Sequence, residues 1–195
     1  MAFEAVELRT ARESDAEAAA RIYIDSWNAG FGGLLLSPNR TVTPRILDTW
    51  CRDLSQPPPH RWWVAERERT MVGFAGIGPS RDPMDPLLGE LDTIAVDPSC
   101  WRTGIGRALM ALALLYLKTD GYREAILWTV AGYERGQRFY EAMGWCLDGG
   151  LRDEGRQVRY RRQLAAERTS SPPVPIRPLL LAGVDGLLNP YGSRP

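Results

Sequence analysis

GELDTIAVDPSCWRTGIGRALM, residues 89–110, holds the decisive pattern. A β-rich run from Leu91 to Val96 ends at a turn made by Asp97 and Pro98. A glycine-bearing helix start follows, and the apolar residues Ala108, Leu109, Leu112, Leu115 and Tyr116 then repeat at helical spacing as far as Gly121. The first amides of a helix lack intrahelical partners, and the helix dipole places about half a positive charge there. Such a segment is an anion site built from main chain. Gly104 and Gly106 carry no side chain to hold a diphosphate away from those donors. Two glycines at a helix start can equally serve close packing, so the surrounding text must decide. It lacks the lysine and the serine or threonine of a Walker loop, and Leu109 stands where a dinucleotide fingerprint would have its third glycine.

Working outward, strand-like and helix-like runs alternate. Val6 to Arg9 reads as a strand, and the sequence SDAE at Ser14 to Glu17 reads as a capping box ahead of Ala19, Ile22, Tyr23, Ser26 and Trp27 at helical spacing. Thr43 as N-cap and Pro44 at the first helical position start a second helix, which carries Ile46, Leu47, Trp50 and Leu54 on one face. Residues 61–79 hold two β-rich runs around a charged turn, predicting an antiparallel hairpin. Ala125 to Val130 reads as a strand and Arg135 to Met143 as a helix stopped by Gly144, with about two further strands before Gln163. The order βααββ, βαβα, ββ predicts one α/β (α+β) domain over residues 1–164. From about Ala165 the text turns proline-rich, with four prolines between Pro172 and Pro178, and predicts a disordered tail over 165–195.

Composition narrows the function classes. Lysine plus arginine total 24 and aspartate plus glutamate total 24, so no overall field draws in nucleic acid or an anionic membrane. Cys51, Cys100 and Cys146 are odd in number and widely spaced, which suggests neither a disulfide framework nor a zinc site. No ligand cluster for any metal appears. The charged N-terminus and the lack of a run near 18 apolar residues make the cytoplasm the expected location.

Trp101, Arg102, Thr103, Gly104, Ile105 and Gly106, placed after a strand ending in valine and a proline turn, resemble the acetyl-CoA-binding motif Q/R-x-x-G-x-G/A of the GCN5-related N-acetyltransferases (GNAT). ERGQRFYEAMGW, residues 134–145, is similar to the same family's later helix and turn, and DSWNAGFGGLLL, residues 25–36, to its bacterial members. Two departures stand out: Trp101 occupies the usual glutamine or arginine position, and Tyr133 the position six before Phe139 where asparagine is frequent.

The resemblance implies a mixed central sheet of about six to seven strands with four helices, acetyl-CoA as co-substrate, and acetyl transfer to a primary amine of a small molecule or peptide by direct attack in a ternary complex. A non-catalytic acyl-CoA-binding or sensing domain of the same fold is the alternative. It implies further that Ile94, Ala95 and Val96 expose main-chain groups to the pantetheine arm, that an amide near Ile94 polarises the thioester, and that the amides of residues 101–107 hold the diphosphate. Arg102 and Arg107 are supplementary cations in that scheme. Tyr140 falls at the general-acid position, where a phenol with a pKa of about 10 can protonate a departing thiolate. Glu90 falls at the position of a catalytic glutamate, with Asp92 the alternative two residues along the strand. Trp27, Phe31 and Trp62 are candidates for the acceptor wall or, equally, for core packing. His60, without a serine or cysteine partner, is expected at the surface. Dimers are common in this family, which leaves a homodimer open.

Overall fold

The computed structural model describes residues 6–34 and 40–164. The proline-rich segment 165–195 and part of the glycine-bearing loop, 35–39, lie outside the described residues.

Strand β1 (Glu7–Thr10) leads into helix α1 (Ala16–Phe31) and helix α2 (Pro44–Leu54). Three antiparallel strands follow, β2 (Arg61–Arg67), β3 (Thr70–Arg81) and β4 (Met84–Val96). Helix α3 (Ile105–Thr119), strand β5 (Glu124–Val130), helix α4 (Glu134–Ala142) and strands β6 (Cys146–Arg152) and β7 (Gln157–Gln163) complete the order. The strands form one mixed seven-stranded sheet, β1-β2-β3-β4-β5-β7-β6, in which only β4 and β5 run parallel. This is the expected α/β architecture, with β7 inserted between β5 and β6. Among the described residues no helix is long and apolar enough to cross a membrane.

Both faces of the sheet are covered, which explains the unbroken apolar run of β2. Successive side chains of a strand point to opposite faces. Trp62 and Val64 therefore pack with Ala19, Ile22 and Trp50 of α1 and α2. Trp63 and Ala65 face the other way, toward residues of α3. Ile105, Leu109, Met110, Ala113 and Leu117 are the buried stripe of that helix. Of the expected face, Ala108, Leu109, Leu112, Leu115 and Tyr116, only Leu109 is fully buried and Leu115 is 55% exposed, because the helix is set down on the sheet through Ile105 and Leu109 against Ala65, Val72 and Ala75.

Thr43 caps α2 as expected, its hydroxyl accepting the Ile46 N–H at 3.3 Å. The capping box expected at Ser14 is not formed. A 3₁₀ turn at Glu13–Asp15 precedes α1, and the Asp15 carboxylate accepts the Arg12 N–H at 2.7 Å, so the acid reaching back is Asp15 and not Glu17. The cause is an ion pair with the preceding strand: Arg9 of β1 donates to both oxygens of Asp15 at 2.8 Å, fixing the carboxylate before the helix begins.

Candidate active site

Strands β4 and β5 pair only at Leu88–Glu124, Gly89–Ala125 and Glu90–Ile126. Beyond Glu90 they separate. A bulge accompanies the separation, since Leu91 sits opposite Ile77 and Thr93 opposite Gly76, leaving Asp92 as the extra residue. The direction of the main chain beyond the bulge follows from the ladder. Asp97 N–H donates to the Val72 carbonyl at 2.9 Å. In an antiparallel pair the hydrogen-bonded positions alternate, so Ala95 and Thr93 bond to β3, while Ile94 and Val96 turn their N–H and C=O groups to the side that β5 has left.

The gap opens into a cavity of about 660 Å³. Its floor is Thr93 to Val96, one end is the turn into α3, one wall is α1 and the other is α4. Of the residues expected to hold the cofactor, Ile94, Ala95, Val96, Trp101, Arg102, Gly104, Gly106 and Arg107 all line it. Thr103 and Ile105 do not. The Thr103 hydroxyl donates to the Cys100 carbonyl at 2.7 Å, and the Ile105 side chain is core, only 2% exposed. Their contribution to the turn is main chain.

Arg102 has φ 66° and Gly104 φ 92°, both in the left-handed half of the map. The first helical amide with a main-chain acceptor is that of Ala108, bonded to the Gly104 carbonyl at 3.1 Å. A Cβ at Gly104 would meet nothing within 4 Å, so the space beside those free donors is open. Trp101 has a task of its own: its indole N–H donates to the Val96 carbonyl at 2.8 Å, where the Ser26 hydroxyl also donates at 2.9 Å. The Arg135 guanidinium lies 4.2 Å from the Trp101 ring centre. One of the outward carbonyls of β4 is thereby satisfied internally, and the turn is tied to both α1 and α4.

Sequence reasoning missed Arg135, Ser26 and Tyr23, which line the cavity beside Trp27, Phe31 and Tyr133. The spacing of Tyr23, Trp27 and Phe31, four residues apart on α1, was the available signal. Phe31 meets Tyr133 edge to face at 4.5 Å, closing that side. Trp62 is not part of the wall; it is buried against Trp50 and Phe74. His60 is half-buried, its ring over Gly78, rather than fully on the surface.

Tyr140 lines the cavity, half-buried. Burial pushes its phenol above the ordinary value of 10.0; Tyr133 adds to this, and a hydrogen bond with Thr129 opposes it. Glu90 stands elsewhere. It is 4% exposed, it is not among the residues that line the cavity, and its carboxylate accepts the Arg81 N–H at 2.9 Å. The Arg81 guanidinium contacts Glu90 at 3.4 Å and Asp92 at 2.8 Å. Asp92 does not line the cavity either, but it adjoins the lining residue Thr93. Burial pushes its carboxyl above the ordinary 3.8, while Arg81 pulls it back and Asp53 adds to the rise. Among the described residues no cluster of His, Cys, Asp and Glu could hold a metal.

The sequence matches the acetyltransferase (GNAT) family over residues 17–145. It is 32% identical over 109 residues to a mycothiol acetyltransferase of Thermobispora bispora, covering 53% of this chain and 34% of that protein. It is 29% identical over 129 residues to the uncharacterized N-acetyltransferase YuaI of Bacillus subtilis, covering 64% of this chain and 72% of YuaI. The chain thus spans about a third of the length of the first relative and most of the second. In fold it is similar to the PaiA N-acetyltransferase of Thermoplasma acidophilum, crystallised with coenzyme A, at a TM-score of 0.64 and 17% identity, covering 82% of this chain and 99% of that one. The splayed parallel pair, the glycine turn into α3 and the match over more than half of its length together establish that the chain belongs to the acetyltransferase (GNAT) family.

Proposed function

We propose that this chain transfers an acetyl group from acetyl-CoA to a primary amine by direct attack in a ternary complex. The observation that carries the reading is the gap beyond Glu90, into which β4 turns the main-chain groups of Ile94 and the N–H of Val96 between the α3 turn and Tyr140. The coenzyme A bound in the Thermoplasma acidophilum relative supports the same reading.

The amides of residues 102–106 would hold the diphosphate, with Arg102 and Arg107 adding charge. Acetyl-CoA supplies the activated acetyl group. The Ile94 amide donates to the thioester oxygen and Tyr140 donates its phenolic proton to sulfur as the C–S bond breaks. Asp92 accepts the proton that the amine gives up as the N–C bond forms. Glu90, buried on Arg81, holds that arginine and through it Asp92.

Thiol release from acetyl-CoA against a panel of amines tests the reading. Asp92→Asn is expected to lower kcat about 100-fold, and Glu90→Gln to do less. Asp92 acts ionised and its carboxyl is raised, so the acid limb of kcat/KM should lie above the ordinary 3.8 and be lost in Asp92→Asn. Glu90→Gln more damaging than Asp92→Asn would reverse their roles. Coenzyme A binding with no thiol release for any amine would favour the non-catalytic alternative. Trp101→Phe keeps the ring over which Arg135 lies but removes the donor to Val96. Calorimetry should then show coenzyme A bound roughly fivefold more weakly, the worth of about one hydrogen bond.

A further inference from the structure

The α1 wall of the cavity is aromatic, with Tyr23, Trp27 and Phe31 in a row and Tyr133 closing it. Charges of opposite sign accompany that row. The Arg40 guanidinium carbon lies 3.8 Å from the Trp27 ring centre. Its place is fixed by Asn28, whose side chain donates to the Arg40 carbonyl at 2.9 Å and accepts the Arg40 N–H at 2.8 Å. Stacking uses the face of a guanidinium and leaves its in-plane N–H donors free. Among the described residues no carboxylate lies within ion-pair distance of it.

Asp92 stands on β4 next to Thr93, a floor residue of the same cavity, with its carboxylate 2.8 Å from the Arg81 guanidinium. Arg81 is already engaged by two carboxylates, Arg102 and Arg107 lie at the α3 turn and Arg135 on Trp101, which leaves Arg40 as the cation stacked on the aromatic row. Beyond the dominant effect of burial, which raises its pKa, the Tyr23 hydroxyl senses both charges: Arg40 pulls its pKa down and Asp92 pushes it up.

Resting on the N-acetyltransferase reading of this cavity, we propose that the acceptor is an amino acid with an apolar or aromatic side chain: Arg40 takes its carboxylate, Asp92 faces its amine, and the aromatic row takes the side chain. A planar, bidentate partner for a carboxylate is what a stacked arginine offers. An uncharged amine of the same shape would leave it unused.

Steady-state kinetics with L-phenylalanine, L-phenylalaninamide and phenethylamine vary the carboxylate and keep the ring. The expected result is a kcat/KM for phenylalanine at least about tenfold above either of the others, the worth of a charge-assisted bond. Arg40→Gln should bring the three level by raising KM for phenylalanine, with coenzyme A affinity by calorimetry unchanged as the check on folding. Phenethylamine or the amide used as well as phenylalanine, or a preference that survives in Arg40→Gln, overturns the proposal and leaves the acetyltransferase reading standing. Thiol release with none of these three but with other amines also overturns it. Thiol release with no amine at all removes both.

Discussion

Replacing Tyr140 with phenylalanine is expected to lower kcat by about two to four orders of magnitude, the range for loss of a positioned general acid. Coenzyme A affinity should hardly move, because the ring that packs beside Phe139 and Tyr160 stays in place. The pH dependence has a definite sign. The working form is the protonated phenol, and burial raises its pKa above 10.0, so the group stays competent across the neutral range and is lost only at pH above that value. A plateau of kcat through mildly alkaline pH is therefore expected in the parent protein. Its alkaline limb should be absent in Tyr140→Phe. Thiol release and calorimetry on the two proteins measure both effects. A variant with full kcat would assign Tyr140 to packing alone.

Gly104→Val should act on binding rather than on chemistry. At φ 92° a β-branched residue is strained by roughly 1 to 3 kcal/mol. Its side chain would also enter the open space beside the free amides of the α3 turn, where a Cβ at this position meets no protein atom within 4 Å. Coenzyme A binding should weaken about tenfold or more, since 1.4 kcal/mol is a factor of ten. Gly106→Ala is the control. A Cβ there would rest 3.6 Å from Phe139, an ordinary contact, so affinity should change little. Equal losses at the two positions would mean that the turn is sensitive to any added bulk and that backbone conformation is not the cause.

The local elements were legible because their patterns depend on neighbours in the chain. Thr43 and Pro44 announced α2, and its cap bond is present. The existence of α3 follows from apolar residues three and four apart, whereas which of them are buried, Ile105 to Leu117, was set by packing on the sheet. The capping box at Ser14 failed for the complementary reason. Arg9, on another element, fixes the Asp15 carboxylate and moves the start of the helix turn.

By itself, then, the sequence determined the order of strands and helices, the glycine turn into α3 and the place of Tyr140 after β5, since each rests on patterns within a few residues. Only the tertiary structure decided that β4 leaves β5 after Glu90, that Glu90 is buried on Arg81 while Asp92 bulges next to the lining residue Thr93, that Tyr23, Tyr133 and Arg135 gather around the cavity, and that Arg40 stacks on Trp27. Those relations join residues many positions apart through strand pairing and side-chain packing, and no local period records which distant partner a carboxylate or a ring will meet.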